Sequence, residues 1–274
     1  MNKRPNLLQE LENLAFFIGT NENLVQGPAG NISVKDFSNN LAWIKKSGTC
    51  LSESLNSEIF MPIPLDFKLD GNLIPGEFKP SIEFFFHLYF NAPWIVHVHS
   101  INAVSLSARK DLDTLIEKFN YIDLTVIEYA KPGFNLHLKL STSLSKDNIK
   151  PIILRNHGLI VFGNSSDDVL TSLIQFESFF ERNLPVIPEI QRMLEVQGLN
   201  QYLNNRFITP DHAVFSLSKK MSSKLLTVSN EIDLSIAKSI SKIPSFDLIN
   251  FLDEANVREL IDWDLEKLRI EKNR

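Results

Sequence analysis

Apolar residues recur at helical spacing near the start of the chain. Leu7, Leu8, Leu11, Leu14, Ala15 and Ile18 predict an amphipathic helix over 5–18. The pattern then shortens. Gly27-Pro28-Ala29-Gly30 predicts a tight turn, Ile32 and Val34 open a strand, and LAWIKK (41–46) reads as its hairpin partner, ended by Ser47-Gly48-Thr49. IFMPIPLDF (59–67) is further extended chain punctuated by prolines. From Ser81 the run SIEFFFHLYFN turns helical, with Ser81 as N-cap and Asn91-Ala92-Pro93 as stop. WIVHVHS (94–100) and TVIEY (125–129) read as strands, and 101–108 and 165–182 as helices. PIILRNHGLIVFG (151–163) reads as two apolar strands broken at Asn156-His157-Gly158. Strands alternating with helices predict an α/β architecture.

Beyond residue 185 glycines thin out and helical spacing dominates. Leu248, Leu252, Val257, Leu260, Ile261 and Leu265 predict a helix over 247–272, while the polar stretch 217–231 predicts a loop or linker. The expected division is a catalytic domain over 1–185 and a helical C-terminal extension over 186–274, packed on it rather than forming a second catalytic unit.

Composition narrows the function classes. With 43% hydrophobic residues, 20 of them phenylalanine, the 274-residue chain can bury a substantial core. A net charge of -5 and the lack of a basic run give no reason to expect a nucleic-acid partner. No run approaches the roughly 18 apolar residues of a membrane span, and the start lacks the apolar stretch of a signal peptide. Cys50 is the single cysteine, which excludes an internal disulfide. The cytoplasm is the simplest expected location.

The candidate chemistry lies in three features. His97 and His99 are two apart in a strand, so both imidazoles project to one face. Zinc takes neutral imidazoles, and catalytic zinc commonly has three protein ligands. His157, at a glycine turn between two strands, is the natural third. A His-x-His pair by itself is more often two hydrogen-bonded strand-end histidines than a metal site. Glu83, flanked by Ile82, Phe84, Phe85 and Phe86, is a candidate general base if burial desolvates it; an exposed first-turn glutamate is the alternative. The turns at Gly27 to Ser33, Ser47-Gly48-Thr49 and Pro80-Ser81 offer backbone N–H groups to an anion, with Lys35 and Lys46 as possible added charge. His87 reads as helix packing or as a support to the site. His137 and His212 have no partner legible in sequence.

GPAGNISVK, IKKSGT, KPSIEFFFH, IVHVHS, EYAKPG and LRNHGLIVFG occur in the order found in the class II aldolase/adducin family. The chain resembles that family over about residues 8–182, most of all the aldolase portion of rhamnulose-phosphate aldolase/dehydrogenase-like proteins, with a weaker echo in FITPDHAVF and WDLEKLR. The resemblance implies a three-layer α/β/α fold with a central, mostly antiparallel sheet, and homotetramers with active sites between subunits. It implies His97, His99 and His157 as ligands of zinc or another divalent metal such as manganese or cobalt. Glu83 corresponds to the catalytic acid/base. Asn31, Ser47, Gly48 and Ser81 fall on substrate-phosphate positions, and Ile82 stands where fuculose-phosphate-type aldolases carry a second serine. Tyr129 falls on a tyrosine contributed from a neighbouring subunit. The implied reaction is cleavage or formation of a C–C bond in a ketose phosphate or related sugar derivative, through a metal-stabilised enediolate. Two alternatives stay open: a decarboxylase, epimerase or dehydratase using the same site, and a non-catalytic adducin-like binding module. No glycine-rich dinucleotide fingerprint follows the aldolase-like part.

Overall fold

A computed structural model describes residues 6–67, 79–119, 123–218, 222–263, 266–267 and 270–271. Helix α1 (Asn6–Gly19) precedes strands β1 (Asn31–Asp36), β2 (Leu41–Lys45) and β3 (Phe60–Pro64). Then follow α2 (Phe84–Tyr89), β4 (Trp94–Val98), α3 (Ile101–Ser107), α4 (Leu112–Phe119), β5 (Thr125–Ile127) and α5 (Phe134–Ser143). Strands β6 (Ile152–Leu154) and β7 (Gly158–Gly163) lead into α6 (Ser166–Asn183). The remainder is helical: α7 (Pro188–Gln197), α8 (Leu199–Tyr202), α9 (Pro210–Ser218), α10 (Ser223–Ile240) and α11 (Glu254–Ile261).

The seven strands form one sheet in the order β3-β2-β1-β4-β7-β6-β5. Every pairing is antiparallel except β5 with β6. The pleat explains the layers, because alternate side chains leave on opposite faces. Trp94, Val96 and Val98 of β4, with Leu159 and Val161 of β7, pack against α1, α3 and α6. Ile95 of β4, with Ile160 and Phe162 of β7, packs against Phe86 of α2 and Leu136 and Leu140 of α5. The result is the expected α/β/α arrangement around a mostly antiparallel sheet.

A further apolar core joins α7 to α11 through Ile190, Leu194, Phe215, Leu225, Ile232 and Leu260, and reaches Val104 of α3 and Ala108 at its C-terminal end. Among the described residues, no helix is long and apolar enough to cross a membrane.

Three local expectations are corrected. Of the supposed linker at 217–231, residues 223–231 belong to α10, and 219–221 lie outside the described residues. Ser222 caps the helix by accepting from the Leu225 N–H at 3.1 Å. Its Leu225, Val228, Ile232, Ile236 and Ile240 bury one stripe, while the polar residues that gave the loop reading lie between them. The helix expected over 247–272 breaks up. Phe246–Leu248 is a short 3-10 turn, and Asp253 starts α11 by accepting from the Asn256 N–H at 2.7 Å. Leu248 and Leu252 therefore precede the helix. Leu265 lies outside the described residues, as do 264, 268 and 269 of the WDLEKLR echo. Finally, α2 begins at Phe84 with Glu83 as its N-cap residue, not at Ser81. The reason is a competing pairing: the Ser81 N–H donates to the Lys45 carbonyl (2.7 Å) and Ser47 N–H to the Lys79 carbonyl (2.8 Å), which hold 79–81 extended against the end of β2.

Two glycines set how closely the site segments approach. A Cβ on Gly158 would lie 2.4 Å from the Val98 carbonyl oxygen, and one on Gly30, at φ +65°, 2.8 Å from the His97 carbonyl oxygen. Gly158→Ala is therefore expected to push β7 from β4 and to cost about 1–3 kcal/mol, the usual range for overpacking a close-packed interior. A urea unfolding series on the two proteins measures it, and an unchanged midpoint would show that the strands can part freely.

Candidate active site

The site is built where β4 and β7 pair. His97 is the fourth residue of β4 and faces Ile160 of β7. His99 lies just past the end of β4 and His157 just before β7, both 7% exposed or less. Asn156, which precedes His157, adopts φ 56°, a left-handed conformation that asparagine tolerates better than most residues. That conformation turns the chain between β6 and β7 so that His157 meets the strand-end pair. The three ring centroids are 4.8, 4.9 and 4.9 Å apart. One ligand nitrogen from each ring lies within 4.8 Å of the others.

The tautomers follow from the partners. His97 Nδ1 is 2.9 Å from the Leu159 carbonyl oxygen, which can only accept, so Nδ1 carries the hydrogen. His99 Nδ1 is 2.8 Å from Asp211 Oδ2 and donates to that carboxylate. In the neutral rings both Nε2 atoms are then bare, yet they face each other at 2.9 Å. Two lone pairs at that distance repel unless a cation lies between them or nearby. A proton on His97 is disfavoured, because burial and then the neighbouring His99 and His157 hold its pKa well below the ordinary histidine value. Neutral imidazoles converging through Nε2 are a donor set suited to a divalent metal.

Glu83 closes the fourth side. Its Oε2 is 3.4 Å from His97 Nε2 and its Oε1 3.4 Å from His157 Nε2. The carboxylate is buried, at 5% exposure, rather than displayed on an outer helix turn. Asn31 holds it, donating from Nδ2 to Glu83 Oε2 at 2.9 Å. The other end of the Asn31 amide accepts from His87 Nε2, and His87 Nδ1 accepts from Ser33 Oγ at 2.7 Å. His87 thus supports the site from beneath, at zero exposure.

A narrow cleft of about 30 Å³ opens beside these groups. Ser47, Gly48, Ser81, Ile82, Glu83, His99 and His157 line it, with Asn31, Pro132, Pro210 and Asp211. Its volume suits about two water molecules, not a whole sugar phosphate.

The sequence-derived candidates therefore divide. His97, His99, His157, Glu83, Asn31, Ser47, Gly48 and Ser81 come together. Tyr129 does not line this cleft; it packs on the core of the C-terminal helices. Its hydroxyl is buried with no hydrogen-bond partner among the described residues. Burial, followed by Glu259, Asp253 and Glu266, pushes the phenol well above its usual pKa. Lys35 and Lys46 do not line the cleft either: Lys46 Nζ donates to the Glu58 carbonyl at 2.6 Å. The cation that does is their neighbour Lys45, 2% exposed, whose Nζ donates to the Pro28 (2.7 Å) and Thr49 (2.9 Å) carbonyls. Its place at the end of β2, just before the Ser-Gly-Thr turn, was the available signal. Asp211, in the first turn of α9, was also missed. Of the remaining histidines, His137 packs among Phe85, Tyr89 and Phe134. His212 Nδ1 accepts from the Ile208 N–H at 3.4 Å.

Residues 16–184 match the class II aldolase and adducin N-terminal domain. The L-fuculose phosphate aldolase of Methanocaldococcus jannaschii is 30% identical over 173 residues, covering 58% of this chain and 83% of that protein. The methylthioribulose-1-phosphate dehydratase of Bacillus cytotoxicus is 26% identical over 200 residues, covering 65% of this chain and 87% of the relative. Among solved structures, the N-terminal class II aldolase domain of a conserved protein from Thermoplasma acidophilum superposes with a TM-score of 0.56 at 25% identity. That match covers 68% of this chain and 97% of the other.

Proposed function

The chain belongs to the class II aldolase and adducin family, and from that premise we propose that it is a metal-dependent aldolase, zinc being the favoured ion, acting on a ketose phosphate or related sugar derivative. The observation that carries the reading is the convergence of three buried imidazoles and a buried carboxylate beside the cleft. Residues 1–185 form the catalytic part and 186–274 an extension, and the active enzyme is a homotetramer.

His97, His99 and His157 would hold the ion through Nε2. When bound, it supplies Lewis-acid polarisation of a ketone oxygen and stabilisation of the negative charge that develops beside it. Glu83 takes and returns a proton at the carbon next to that carbonyl, and Asn31 keeps its carboxylate aimed there. In the cleavage direction the hydroxyl beyond the breaking C–C bond gives its proton to water, that bond opens to an aldehyde and dihydroxyacetone phosphate, and Glu83, in its protonated form, delivers one proton to the carbon left by the broken bond. Ser47, Gly48 and Ser81 hold the phosphate, and the Lys45 ammonium supplies positive charge. The cleft, at about 30 Å³, must widen to admit the substrate.

Purified protein loaded with zinc should convert L-fuculose 1-phosphate or another ketose 1-phosphate to dihydroxyacetone phosphate plus an aldehyde. No C–C cleavage across such a panel would reject the aldolase reading. One observation favours a second reading: the similarity to a methylthioribulose-1-phosphate dehydratase. Loss of water from a ketose phosphate with the carbon chain intact would select it. Lys45→Met should raise KM for the phosphorylated substrate about tenfold, the scale of a lost charge-assisted hydrogen bond, and leave kcat nearly unchanged. An unaltered KM would remove Lys45 from phosphate binding.

A further inference from the structure

We propose that the C-terminal helical part completes the metal centre, with Asp211 as the positioning residue that fixes the ring of His99. The proposal rests on the reading of the three histidines as metal ligands.

Asp211 lies outside the residues matched by the family, 16–184. Yet its Oδ2 is 2.8 Å from His99 Nδ1, and the residue is only 4% exposed. A buried carboxylate is costly unless it is paired and hydrogen-bonded. Here it meets the one nitrogen of His99 that a metal bound at Nε2 would leave over. An acceptor at that nitrogen fixes the tautomer, holds the ring plane and makes the other nitrogen a better electron donor. His97 receives only a neutral carbonyl at the same position, from Leu159. Of the two rings, only His99 has a carboxylate at Nδ1, and that carboxylate comes from beyond the aldolase-like part. Local sequence explains the placement: Pro210 opens α9, and the Thr209 hydroxyl accepts from the His212 N–H at 3.2 Å, which seats Asp211 in the first turn.

A second tie reaches His157. Asn156, the residue before it, donates from Nδ2 to the Ile208 (3.0 Å) and Asn250 (2.8 Å) carbonyls. Asn250 Nδ2 donates back to Asn156 Oδ1 at 2.7 Å. Residues from 208 to 250 thus hold the ring of one candidate ligand, His99, and tie down the residue that precedes another, His157.

The test is the zinc affinity of the full-length protein, measured by chelator competition, together with the visible spectrum of the cobalt-loaded form. Native protein should bind zinc. Asp211→Ala should bind it about 10- to 100-fold more weakly, the range found for such supporting partners, with a shifted cobalt spectrum. Asp211→Asn keeps an acceptor for the His99 N–H but not the charge, and should lose less. Native affinity and spectrum in Asp211→Ala overturn the proposal. If that variant fails to fold, Asp211→Asn decides: native affinity and spectrum there overturn it equally. Absence of zinc binding by the native protein instead defeats the metal-site reading itself, which is a different result.

Discussion

His97→Ala should release the bound metal and lower kcat/KM about a thousandfold, or about 4 kcal/mol at about 1.4 kcal/mol per tenfold. His97 carries this weight for a geometric reason. It is the one candidate ligand inside a strand, paired to β1 through Asn31 and to β7 through Ile160. Its ring is fully buried, and its Nδ1 is held by a backbone carbonyl of β7. No neighbouring side chain can swing into its place in so close-packed a region. Elemental analysis of the purified variant, with a turnover assay and a melting curve to verify the fold, measures the effect. A folded His97→Ala protein that keeps stoichiometric metal or native turnover would remove the site from the reaction.

The second large effect separates chemistry from metal binding. Glu83→Gln should retain metal and lower kcat about 10²- to 10⁴-fold, the usual contribution of a positioned acid/base. The glutamine fills the same volume, and its carbonyl oxygen can still accept from Asn31 Nδ2, which holds Glu83 at 2.9 Å. What is lost is a group able to exchange a proton at the substrate carbon. Parallel metal analysis and steady-state kinetics decide it. Near-native kcat in the metal-loaded variant would show that some other residue moves that proton. Loss of the metal along with turnover would make Glu83 a ligand first.

The pair of outcomes also bears on the adducin-like alternative. A binding module has no need of a carboxylate at 3.4 Å from two imidazoles, nor of an amide committed to orienting it. Neither variant would then alter a reaction, because there would be none.

Much of the layered fold was legible along the chain because its signals are local. The two-residue alternation of β4 and β7 separates Trp94, Val96 and Val98 from Ile95 and His97, and the pleat turns that alternation directly into two faces. Asn156-His157-Gly158 was legible as a break because a left-handed residue and a close backbone approach each favour particular residue types. Local signals failed where a distant partner overrode them. Ser81 has the chemistry of an N-cap, but its N–H is claimed by Lys45 across 36 residues, and the cap falls two residues later, at Glu83. The polar run at 217–231 looked like a linker because its buried stripe, from Leu225 to Ile240, faces a core assembled from α7, α9 and α11.

By itself, then, the sequence determined the seven strands and the helices α1, α2, α3 and α6 of the aldolase-like part, though not α4 and α5, together with the family and the histidines and glutamate from which a metal site can be made. These depend on residue type, spacing and order, which are properties of the chain. Tertiary structure alone decided that Asn31 serves Glu83, that Lys45 rather than Lys35 or Lys46 lines the cleft, and that Asp211 reaches His99 across 112 residues. The physical reason is that a hydrogen bond or a buried charge is satisfied by whatever group the fold brings within about 3 Å, and separation along the chain places no limit on which group that is.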